Sequence, residues 1–379
     1  MNLDEIRADI TKVDEKIIDL IVERMKKTLE VAKYKKENAL PVLDRSRERE
    51  ILSRITKQAG NDFQDYAKVL FSILFDLSRS YQIRVLTEEG KLAENIQSAL
   101  EKTPKLFPSR ASVACPGVEG AYSQLACDRF FSLPDIVYFR HFEGVFQAVE
   151  NGLCEYGILP IENSSFGSVR AVYDLMKDYR FHIVRSMKMC VSHTLLAKPG
   201  VDFSKIREVI SHENAIGQCS EFLRKHPEIK ITVCENTAIA AKYAANSARD
   251  DIAAISSRNC AELYGLKIVN DSIQNSDNNY TRFICISKNM EIYPGANKIS
   301  LMLSLPHRPG ALYSAIARFA ALGVNLTKLE SRPIPGKDFE FFFYLDLEAS
   351  VCSPEVIRLL SRFESEPDQF VFLGCYNEI

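Results

Sequence analysis

Cationic side chains recur at helical spacing in the first part of the chain. Arg24 and Lys35 are eleven residues apart, which is close to three helical turns, so both side chains would lie on one face of a helix. Arg7 lies seventeen residues before Arg24 and would point about a quarter-turn away, where it could serve a site on the other side of a dimer. A single cation in an amphipathic helix is usually solvated, but this spacing favours a shared functional site.

Polar residues on two later segments extend this set. They are Asp44, Arg47 and Glu48, at helical spacing just after Pro41, and the i, i+4 pair Ser78 and Gln82. Residues four apart on a helix are neighbours on its surface. The whole set therefore forms a candidate site with donors and acceptors from several helical segments.

The elements that carry these residues are predicted to be helices. Apolar residues recur at three- and four-residue steps from Leu3 to Ala32, and no glycine or proline occurs before Pro41. A helix of about 35 residues spans roughly 50 Å, whereas a domain of about 90 residues has a radius of gyration of only about 12–13 Å. We therefore expect residues 1–87 to form an all-α domain in an intertwined homodimer, with further helices over 44–59 and 63–86.

The central part of the chain predicts a different architecture. Short β-branched runs alternate with amphipathic helical runs over residues 111–288, which predicts an α/β domain with a mostly parallel sheet. A strand-like run at 188–196 precedes a second such alternation, which indicates two lobes with a cleft between them. Polar motifs lie where predicted strands begin or end, and such ends are where α/β domains bind ligands. These motifs are Cys115–Ser123, Pro160–Ser164, Ser211–His212 with Gln218, and Thr281–Phe283.

The C-terminal part has a third pattern. Over residues 297–379 the predicted order is strand, helix, strand, strand, helix, strand, which is the ferredoxin-like α+β plan. Residues 307–312 (HRPGAL) open the first helix, and residues 330–333 (ESRP) end the second strand. Residues 88–110 are polar, with two prolines near the end, and are predicted to be a linker that is partly helical at most. Each motif taken alone is also typical of a plain turn, and His212 alone of a structural histidine.

Composition excludes several classes of protein. The net charge of -2 provides no basic field for nucleic acid or anionic lipid. The first thirty residues lack the apolar core of a signal peptide, and no apolar run reaches the roughly 18 residues that a membrane span needs. The ten cysteines are scattered with no C-x-x-C pair, which argues against zinc and disulfides and favours a reduced, cytoplasmic setting.

Residues 3–86 resemble the all-helical chorismate mutase family through the runs IRADI, VDEKIIDLIVERM, VAKYK and DRSRERE. The resemblance implies a Claisen rearrangement, which is helped by holding a compact conformer and by donors at the ether oxygen. Arginines suit a dianionic substrate because their planar fork matches a carboxylate. The implied roles are carboxylate binding for Arg24 and for Arg7 of the partner subunit, contact with the ether oxygen for Lys35 and Gln82, contact with the ring hydroxyl region for Glu48 and Asp44, and completion of the wall for Arg47 and Ser78.

Residues 112–287 resemble the prephenate dehydratase family, because the runs GVEGAYSQLA, ILPIENSSFGSV, SHTLLA, SHENAIGQCSEFL, AELYGLKIV and NNYTRF occur in order. The family fold is two α/β lobes of periplasmic-binding type with the site in the cleft. The reaction expels water and carbon dioxide, so the leaving hydroxide needs a proton donor. Thr281 is the implied catalytic group and would need a positioned hydrogen bond or a relay, for which Glu162 is a candidate. Asn163, Ser211 and Gln218 would line the site, and Arg282 would orient or bind a carboxylate.

The C-terminal motifs resemble the amino-acid-binding ACT domain of these enzymes, where Gly-Ala-Leu and Glu-Ser-Arg-Pro form a phenylalanine feedback site. The helix start suits the carboxylate of an amino acid, and the glutamate could meet its ammonium group. Such sites lie between paired domains, which again implies a dimer or larger oligomer. Tyr313 departs from the family, which often has valine there. The implied site residues are Gly310, Ala311, Leu312, Glu330, Ser331, Arg332 and Pro333.

Together the resemblances imply a cytoplasmic enzyme, without cofactor or metal, that converts chorismate to prephenate and prephenate to phenylpyruvate and is inhibited by phenylalanine. Its partners would be these small molecules and further copies of the same chain, and neither nucleic acid nor a membrane. Two alternatives stay open at the level of sequence. One is an arogenate dehydratase, and the other is a non-catalytic small-molecule sensor.

Overall fold

Three structural parts follow one another along the chain. The computed structural model describes residues 2–38, 40–86, 91–307, 309–334, 336, 340–365 and 369–379. The first part is helical, the second is α/β, and the third is α+β. In this described portion, no helix has both the length and the apolar character that crossing a membrane requires.

Two long helical runs make up the N-terminal part. Helix α1 spans Leu3–Glu37 and α2 spans Arg45–Leu86. Asn2 and Glu5 form a capping box that satisfies free N–H groups at the start of α1. Gly60 has φ 70° and ψ 174°, so α2 breaks there, because glycine adopts such a backbone without a steric cost. The two helices predicted over 44–59 and 63–86 therefore appear as one run with a sharp break.

The apolar stripe of α1 is largely uncovered by the rest of its own chain. Thr28 and Ala32 are the buried residues of this helix. Leu3, Ile10 and Leu20 remain 60%, 55% and 64% exposed. A continuous apolar stripe of this length is typical of an interaction surface.

The predicted linker is more ordered than its composition indicates. Helix α3 spans Lys91–Lys102 and buries Leu92, Ile96 and Ala99. These side chains belong to the hydrophobic core of the C-terminal part, and the Leu92 N–H donates to Glu364 Oε2 at 3.0 Å. The helix forms because its apolar residues recur at helical spacing. It packs on the C-terminal part, whereas residues 88–90 of the predicted linker lie outside the described residues.

The α/β part consists of two sheets. The elements in chain order are β1 (Arg110–Pro116), α4 (Tyr122–Phe130), β2 (Leu133–Phe139), α5 (Phe142–Glu150), β3 (Tyr156–Asn163), β4 (Gly167–Ser168), α6 (Arg170–Met176), β5 (His182–Cys190), β6 (Thr194–Ala197), β7 (Glu208–Ser211), α7 (Glu213–Gln218), α8 (Ser220–Arg224), β8 (Lys230–Val233), α9 (Thr237–Asn246), β9 (Ile252–Ser256), α10 (Asn259–Leu263), β10 (Lys267–Asn270) and β11 (Tyr280–Ser287). A short 3₁₀ helix, Phe203–Lys205, precedes β7.

Each sheet belongs to one lobe. The first lobe contains β5-β11-β3-β1-β2, and the second contains β10-β6-β9-β7-β8. Strands β1, β2 and β3 are parallel, but β11 runs antiparallel to both β3 and β5, so the predicted mostly parallel sheet is in fact mixed. The predicted run at 188–196 is divided between β5 and β6, because the chain changes lobes at residues 191–193. The prediction of an α/β domain with two lobes is confirmed.

The C-terminal part has the predicted strand and helix order. Its elements are β12 (Lys298–Ser304), α11 (Ala311–Ala320), β13 (Asn325–Pro333), β14 (Phe341–Glu348), α12 (Pro354–Glu364) and β15 (Phe370–Glu378). The four antiparallel strands are ordered β13-β14-β12-β15. Phe319 and Leu360 from the two helices pack on one face of this sheet. On the other face, Tyr344 and Tyr376 join the core of the first lobe.

The two neighbouring sheets are fused at one edge. The end of strand β15 pairs in parallel with β5, with Asn377 opposite Arg185 and Glu378 opposite Ser186. At Gly374, with φ 150°, an added Cβ would lie 2.2 Å from the Ile183 carbonyl oxygen, so a side chain would prevent this approach. The result is a single ten-stranded sheet shared by the first lobe and the C-terminal part.

Candidate functional sites

Helices α1 and α2 bring part of the predicted cationic set together. Arg24 donates to the Leu74 carbonyl at 3.3 Å and to the Ser78 hydroxyl. Its guanidinium carbon also lies 5.8 Å from the ring centroid of Phe75, and burial lowers the pKa of Arg24. Gln82, which is 7% exposed, keeps a buried Oε1 without a partner among the described residues. An unpaired buried acceptor costs about 1–3 kcal/mol, which favours a ligand at this position.

A second group of contacts, which are ionic, lies beside Arg24 and Ser78. Glu48 forms an ion pair with Arg79, which also pairs with Asp76. Arg79 was not among the predicted site residues, because an i, i+3 pair with Asp76 is typical of a solvated helix surface. Lys35 donates to the Val42 carbonyl at 2.6 Å and so holds the loop between the two helices.

Three other predicted residues make local contacts. Asp44 caps α2 by accepting the Arg47 N–H at 3.0 Å, and Arg47 pairs with Glu50 at 2.8 Å. The Arg7 side chain is 68% exposed and lies 3.6 Å from Asp4. Within one chain, therefore, the described contacts of Arg7 do not reach the group of residues around Arg24.

A cavity of about 320 Å³ lies between the two lobes of the α/β part. Residues from both lobes line it, as the sequence predicts for a cleft at strand ends. The lining includes Tyr122, Arg140, Asn163, Phe166, His193, His212, Gln218, Glu235, Asn236 and Thr281.

Thr281 and Asn163 meet at the floor of this cavity. The Asn163 amide nitrogen donates to Thr281 Oγ1 at 3.0 Å. The Asn163 amide oxygen accepts the N–H groups of Ser165 and Phe166 at 2.9 and 3.0 Å, which determines the orientation of the amide. Thr281 Oγ1 is thus an acceptor, and no described residue accepts its O–H. That hydrogen is available to a ligand in the cavity.

Ser211 and Arg282 lie elsewhere than the resemblance implies. Ser211 is fully buried and donates to the Ile255 carbonyl at 2.7 Å, so it joins β7 to β9 instead of lining the cavity. Arg282 follows Thr281 on β11, and successive side chains of a strand point to opposite faces. Its side chain therefore faces the C-terminal part, where it pairs with Asp346 and Glu378.

Two polar contacts at the cavity serve the fold: one caps a helix, and the other joins the two lobes. His212 caps α7 by accepting the Asn214 N–H at 3.1 Å through Nδ1, and burial lowers its pKa. Arg140 of the first lobe donates to Glu235 of the second lobe at 3.1 Å, and this hydrogen bond lowers the pKa of Glu235. The Arg140–Glu235 pair joins residues 95 positions apart, and no local sequence pattern indicates it.

The predicted amino-acid site is divided between two faces of the C-terminal sheet. Gly310, with φ 81°, precedes the first turn of α11, and Arg308 of the same motif lies outside the described residues. Glu330 accepts a hydrogen bond from Ser168 at 2.7 Å, and Arg332 pairs with Asp174 at 2.7 Å. Both contacts reach the first lobe. Ser331, between them, lies on the opposite face and is exposed.

A lysine extends these contacts to the predicted dehydratase motif. Lys328 lies 2.8 Å from Glu162 Oε1 and donates to Ser168 at 3.0 Å. Glu162 precedes Asn163, whose amide contacts Thr281. The C-terminal sheet is therefore connected to the floor of the cavity through adjacent residues of β3.

Comparisons with known proteins match the helical and the α/β parts to known families. Two family models match: Chorismate mutase type II over residues 6–83 and Prephenate dehydratase over residues 113–291. The bifunctional chorismate mutase/prephenate dehydratase of Escherichia coli (strain K12) is 32% identical over 387 residues, covering 98% of this chain and 95% of that protein. Arogenate dehydratase/prephenate dehydratase 2 of Arabidopsis thaliana is 36% identical over 311 residues, covering 79% and 81% of the two chains. The solved structure of Arthrobacter aurescens prephenate dehydratase in complex with L-Phe has a TM-score of 0.64 and 27% identity, covering 70% of this chain and 89% of that one.

Proposed function

Because the chain belongs to the family of bifunctional chorismate mutase/prephenate dehydratases, we propose that it catalyses two consecutive reactions of phenylalanine biosynthesis. The helical part rearranges chorismate to prephenate. The cleft of the α/β part converts prephenate to phenylpyruvate, water and carbon dioxide. The observation that carries this proposal is the agreement of both family models, in order, with a bifunctional relative that aligns over 98% of the chain.

The mutase reaction needs positioning and no proton transfer. We assign Arg24 to one substrate carboxylate, and Lys35 and Gln82 to the ether oxygen on which negative charge develops. Gln82 would donate to the ether oxygen through Nε2, since its Oε1, which is buried and unpartnered among the described residues, can only accept. Glu48 would contact the ring hydroxyl, with Arg79 holding its carboxylate in place.

A second copy of the chain would complete this site. The apolar stripe of α1 is uncovered within one chain, and the helix of 35 residues spans roughly 52 Å at about 1.5 Å per residue. A homodimer that pairs α1 with α1 would bury the stripe. It would also bring exposed Arg7 of the partner subunit to the second carboxylate. Size-exclusion chromatography with light scattering tests this, and a monomer that keeps full mutase activity would refute it.

The dehydratase reaction begins with loss of the ring hydroxyl. We propose that Thr281 donates its O–H to the departing oxygen, since its Oγ1 already accepts the amide of Asn163. The C–O bond then breaks with its electron pair on the oxygen, which leaves as water with the Thr281 proton, and Thr281 regains a proton from solvent water. The electrons of the bond to the carboxylate enter the ring, and carbon dioxide leaves as the ring becomes aromatic.

All ten cysteines are free thiols, which favours the cytoplasm as the place of this chemistry.

The C-terminal part is proposed to be an ACT domain that binds phenylalanine. The relative from Arthrobacter aurescens was solved with L-Phe, and the N-terminus of α11 at Gly310 suits a carboxylate. Ala311, Leu312, Ser331 and Pro333 would line the pocket.

Two charged residues of the same strand would transmit binding. Glu330 and Arg332 contact Ser168 and Asp174 of the first lobe, so Glu330 would have to leave Ser168 in order to meet the ammonium group. Movement of β13 would thereby reach Glu162 and the floor of the cavity. This arrangement explains how phenylalanine bound outside the cleft could lower dehydratase activity.

One coupled assay tests the proposal. Purified protein is given chorismate, and prephenate and phenylpyruvate are followed with and without millimolar phenylalanine. Formation of both products, with phenylpyruvate formation suppressed by phenylalanine, supports the assignment. Binding of prephenate without turnover would instead support a non-catalytic sensor. Since a plant relative carries the name arogenate dehydratase/prephenate dehydratase, arogenate is compared as a second substrate, and a higher kcat/KM for arogenate would change the assigned substrate.

A further inference from the structure

A chain of five polar side chains runs from the lobe crossing to the floor of the cavity. Its members in order are His193, Gln218, Asn279, Asn163 and Thr281. Four of them line the cavity, while Asn279 lies behind them with 1% exposure. Buried polar groups of this kind are usually fully paired, and a complete network holds its members in one arrangement.

The direction of the hydrogen bonds is set at the Asn163 end. Two backbone N–H groups, of Ser165 and Phe166, donate to the Asn163 amide oxygen. A backbone N–H cannot accept, so the Asn163 amide nitrogen must be the group that faces Asn279 and Thr281. It donates to Asn279 Oδ1 at 2.8 Å and to Thr281 Oγ1 at 3.0 Å.

The same direction continues to His193. Because Asn279 Oδ1 accepts, the Asn279 amide nitrogen is the donor to Gln218 Oε1, at 3.0 Å. Gln218 Oε1 is therefore an acceptor, and the His193 Nε2 that meets it must carry a hydrogen. The chain of contacts thus selects the Nε2–H tautomer of His193.

The other ring nitrogen of His193, Nδ1, takes no part in this chain of hydrogen bonds. Nδ1 is buried and has no partner among the described residues, and the ring is 2% exposed. Burial lowers the pKa of His193, with a smaller opposing effect from the Gln218 hydrogen bond, so the ring is neutral near neutral pH. Among the described residues, the polar contact of the His193 side chain is therefore the hydrogen bond that its Nε2–H donates to Gln218.

We propose that His193 is a positioning residue of the dehydratase site: it anchors the far end of the Gln218–Asn279–Asn163 chain and so holds the Asn163 amide, whose direction the backbone sets, in place beside Thr281. Gln218 and Asn279 are paired through both amide groups, because Gln218 Nε2 also donates to Asn279 Oδ1 at 3.4 Å. Without the Nε2–H donor of His193, this amide pair loses its anchor at the lobe crossing, and Asn279 can shift away from the Asn163 amide nitrogen that it holds. The proposal rests on the proposed dehydratase function of the cleft.

Two amide substitutions differ only in reach and provide the test. His193→Gln places an amide nitrogen near the position of Nε2, whereas His193→Asn reaches only to the position of Nδ1. Prephenate turnover gives kcat and KM for each variant. The mutase rate of the same chain, measured from chorismate, shows whether the protein is folded and active elsewhere.

We expect His193→Asn to lower dehydratase kcat at least about tenfold, because a misplaced catalytic group loses orientation, while KM changes less than about threefold. His193→Gln should recover kcat to within about threefold of the natural chain. Normal kcat in His193→Asn would overturn the proposal, as would equal loss in both variants with a normal mutase rate. If His193→Asn failed to fold, loss of kcat in a folded His193→Gln would still refute it. Absence of prephenate turnover by the unmodified chain would instead refute the proposed function itself.

Discussion

Replacing Arg282 with methionine tests whether this residue holds domains together or binds substrate. The Arg282 side chain is 6% exposed, and its Nη1 pairs with Asp346. Nε lies 2.9 Å from Glu378 Oε2 without the alignment of a hydrogen bond, and Nη2 donates to the Tyr376 hydroxyl at 2.7 Å. Methionine keeps much of the apolar stem but leaves the buried carboxylate of Asp346 without its cation, while the half-buried Glu378 keeps Lys298.

The expected loss of stability is large. Removing one partner of a buried ion pair costs about 3–5 kcal/mol, and each kcal/mol lowers the unfolding temperature of a domain of this size by about 2–4 °C. We therefore expect the first unfolding transition of Arg282→Met to fall by roughly 6–20 °C. The chain contains no tryptophan, so far-UV circular dichroism is the suitable signal. The matched control is Arg110→Met, because Arg110 and Asp135 are 74% and 67% exposed, and such surface pairs contribute at most about 1 kcal/mol.

Kinetics separate the two roles of Arg282. Because the side chain faces Asp346 and lies outside the cavity lining, we expect KM for prephenate to remain within about twofold of the natural value, measured below the unfolding transition. An unchanged unfolding temperature together with a KM raised more than about tenfold would refute the structural role. That result would restore the carboxylate-binding role that the family resemblance implies.

Three further predictions concern the two active sites and the fused sheet. Lys35→Ala should abolish mutase turnover through loss of a donor at the ether oxygen while dehydratase turnover persists, and loss of both activities would contradict separate sites. Thr281→Ala should lower dehydratase kcat about 100-fold or more with a normal mutase rate, whereas Thr281→Ser should keep most of the activity; equal loss in both would remove the hydroxyl from its role. Although burial opposes the charged form, Lys298 and Arg282 hold the pKa of Glu378 at about 2, below its unfolded value of about 4.3. Its contribution to stability is therefore present above about pH 4.3 and is lost as the pH falls toward 2, so urea unfolding of Glu378→Gln and of the natural chain should differ most above pH 5 and converge in acid.

Local sequence patterns predict the elements well because helices and strands depend on spacing within a few residues. The break in α2 lies near the predicted gap between two helices, and the six C-terminal elements occur in the predicted order. Patterns fail where the chain changes partners. The apolar run at 188–196 looks continuous, but the chain leaves one sheet after Cys190 and joins another at Thr194.

The predicted sites have the same limit. Family motifs imply one site for Asn163 and Thr281, and these two side chains meet in the cavity. The motifs do not specify which of two adjacent residues on a strand faces the cavity. Thr281 and Arg282 are adjacent on a strand, so their side chains must point to opposite faces of the sheet. The sequence does not show which of the two faces the cavity. That becomes clear only when the position of β15 is known. Arg79 and Arg140 act through partners distant in sequence and lie outside the family motifs, whereas His193 lies within the SHTLLA run, which does not indicate its partner Gln218.

The fused sheet restricts how the C-terminal part could be exchanged among related enzymes. Removing residues 298–378 would uncover the edge of β5, and an unpaired edge strand is a template for aggregation. A transplanted C-terminal domain would need a glycine where Gly374 passes the Ile183 carbonyl, and a strand end that pairs beside Arg185. It would also need acidic groups that meet Arg282. Recombination of the α/β part with another C-terminal part is therefore expected to succeed only when β5, β11 and β15 are inherited together.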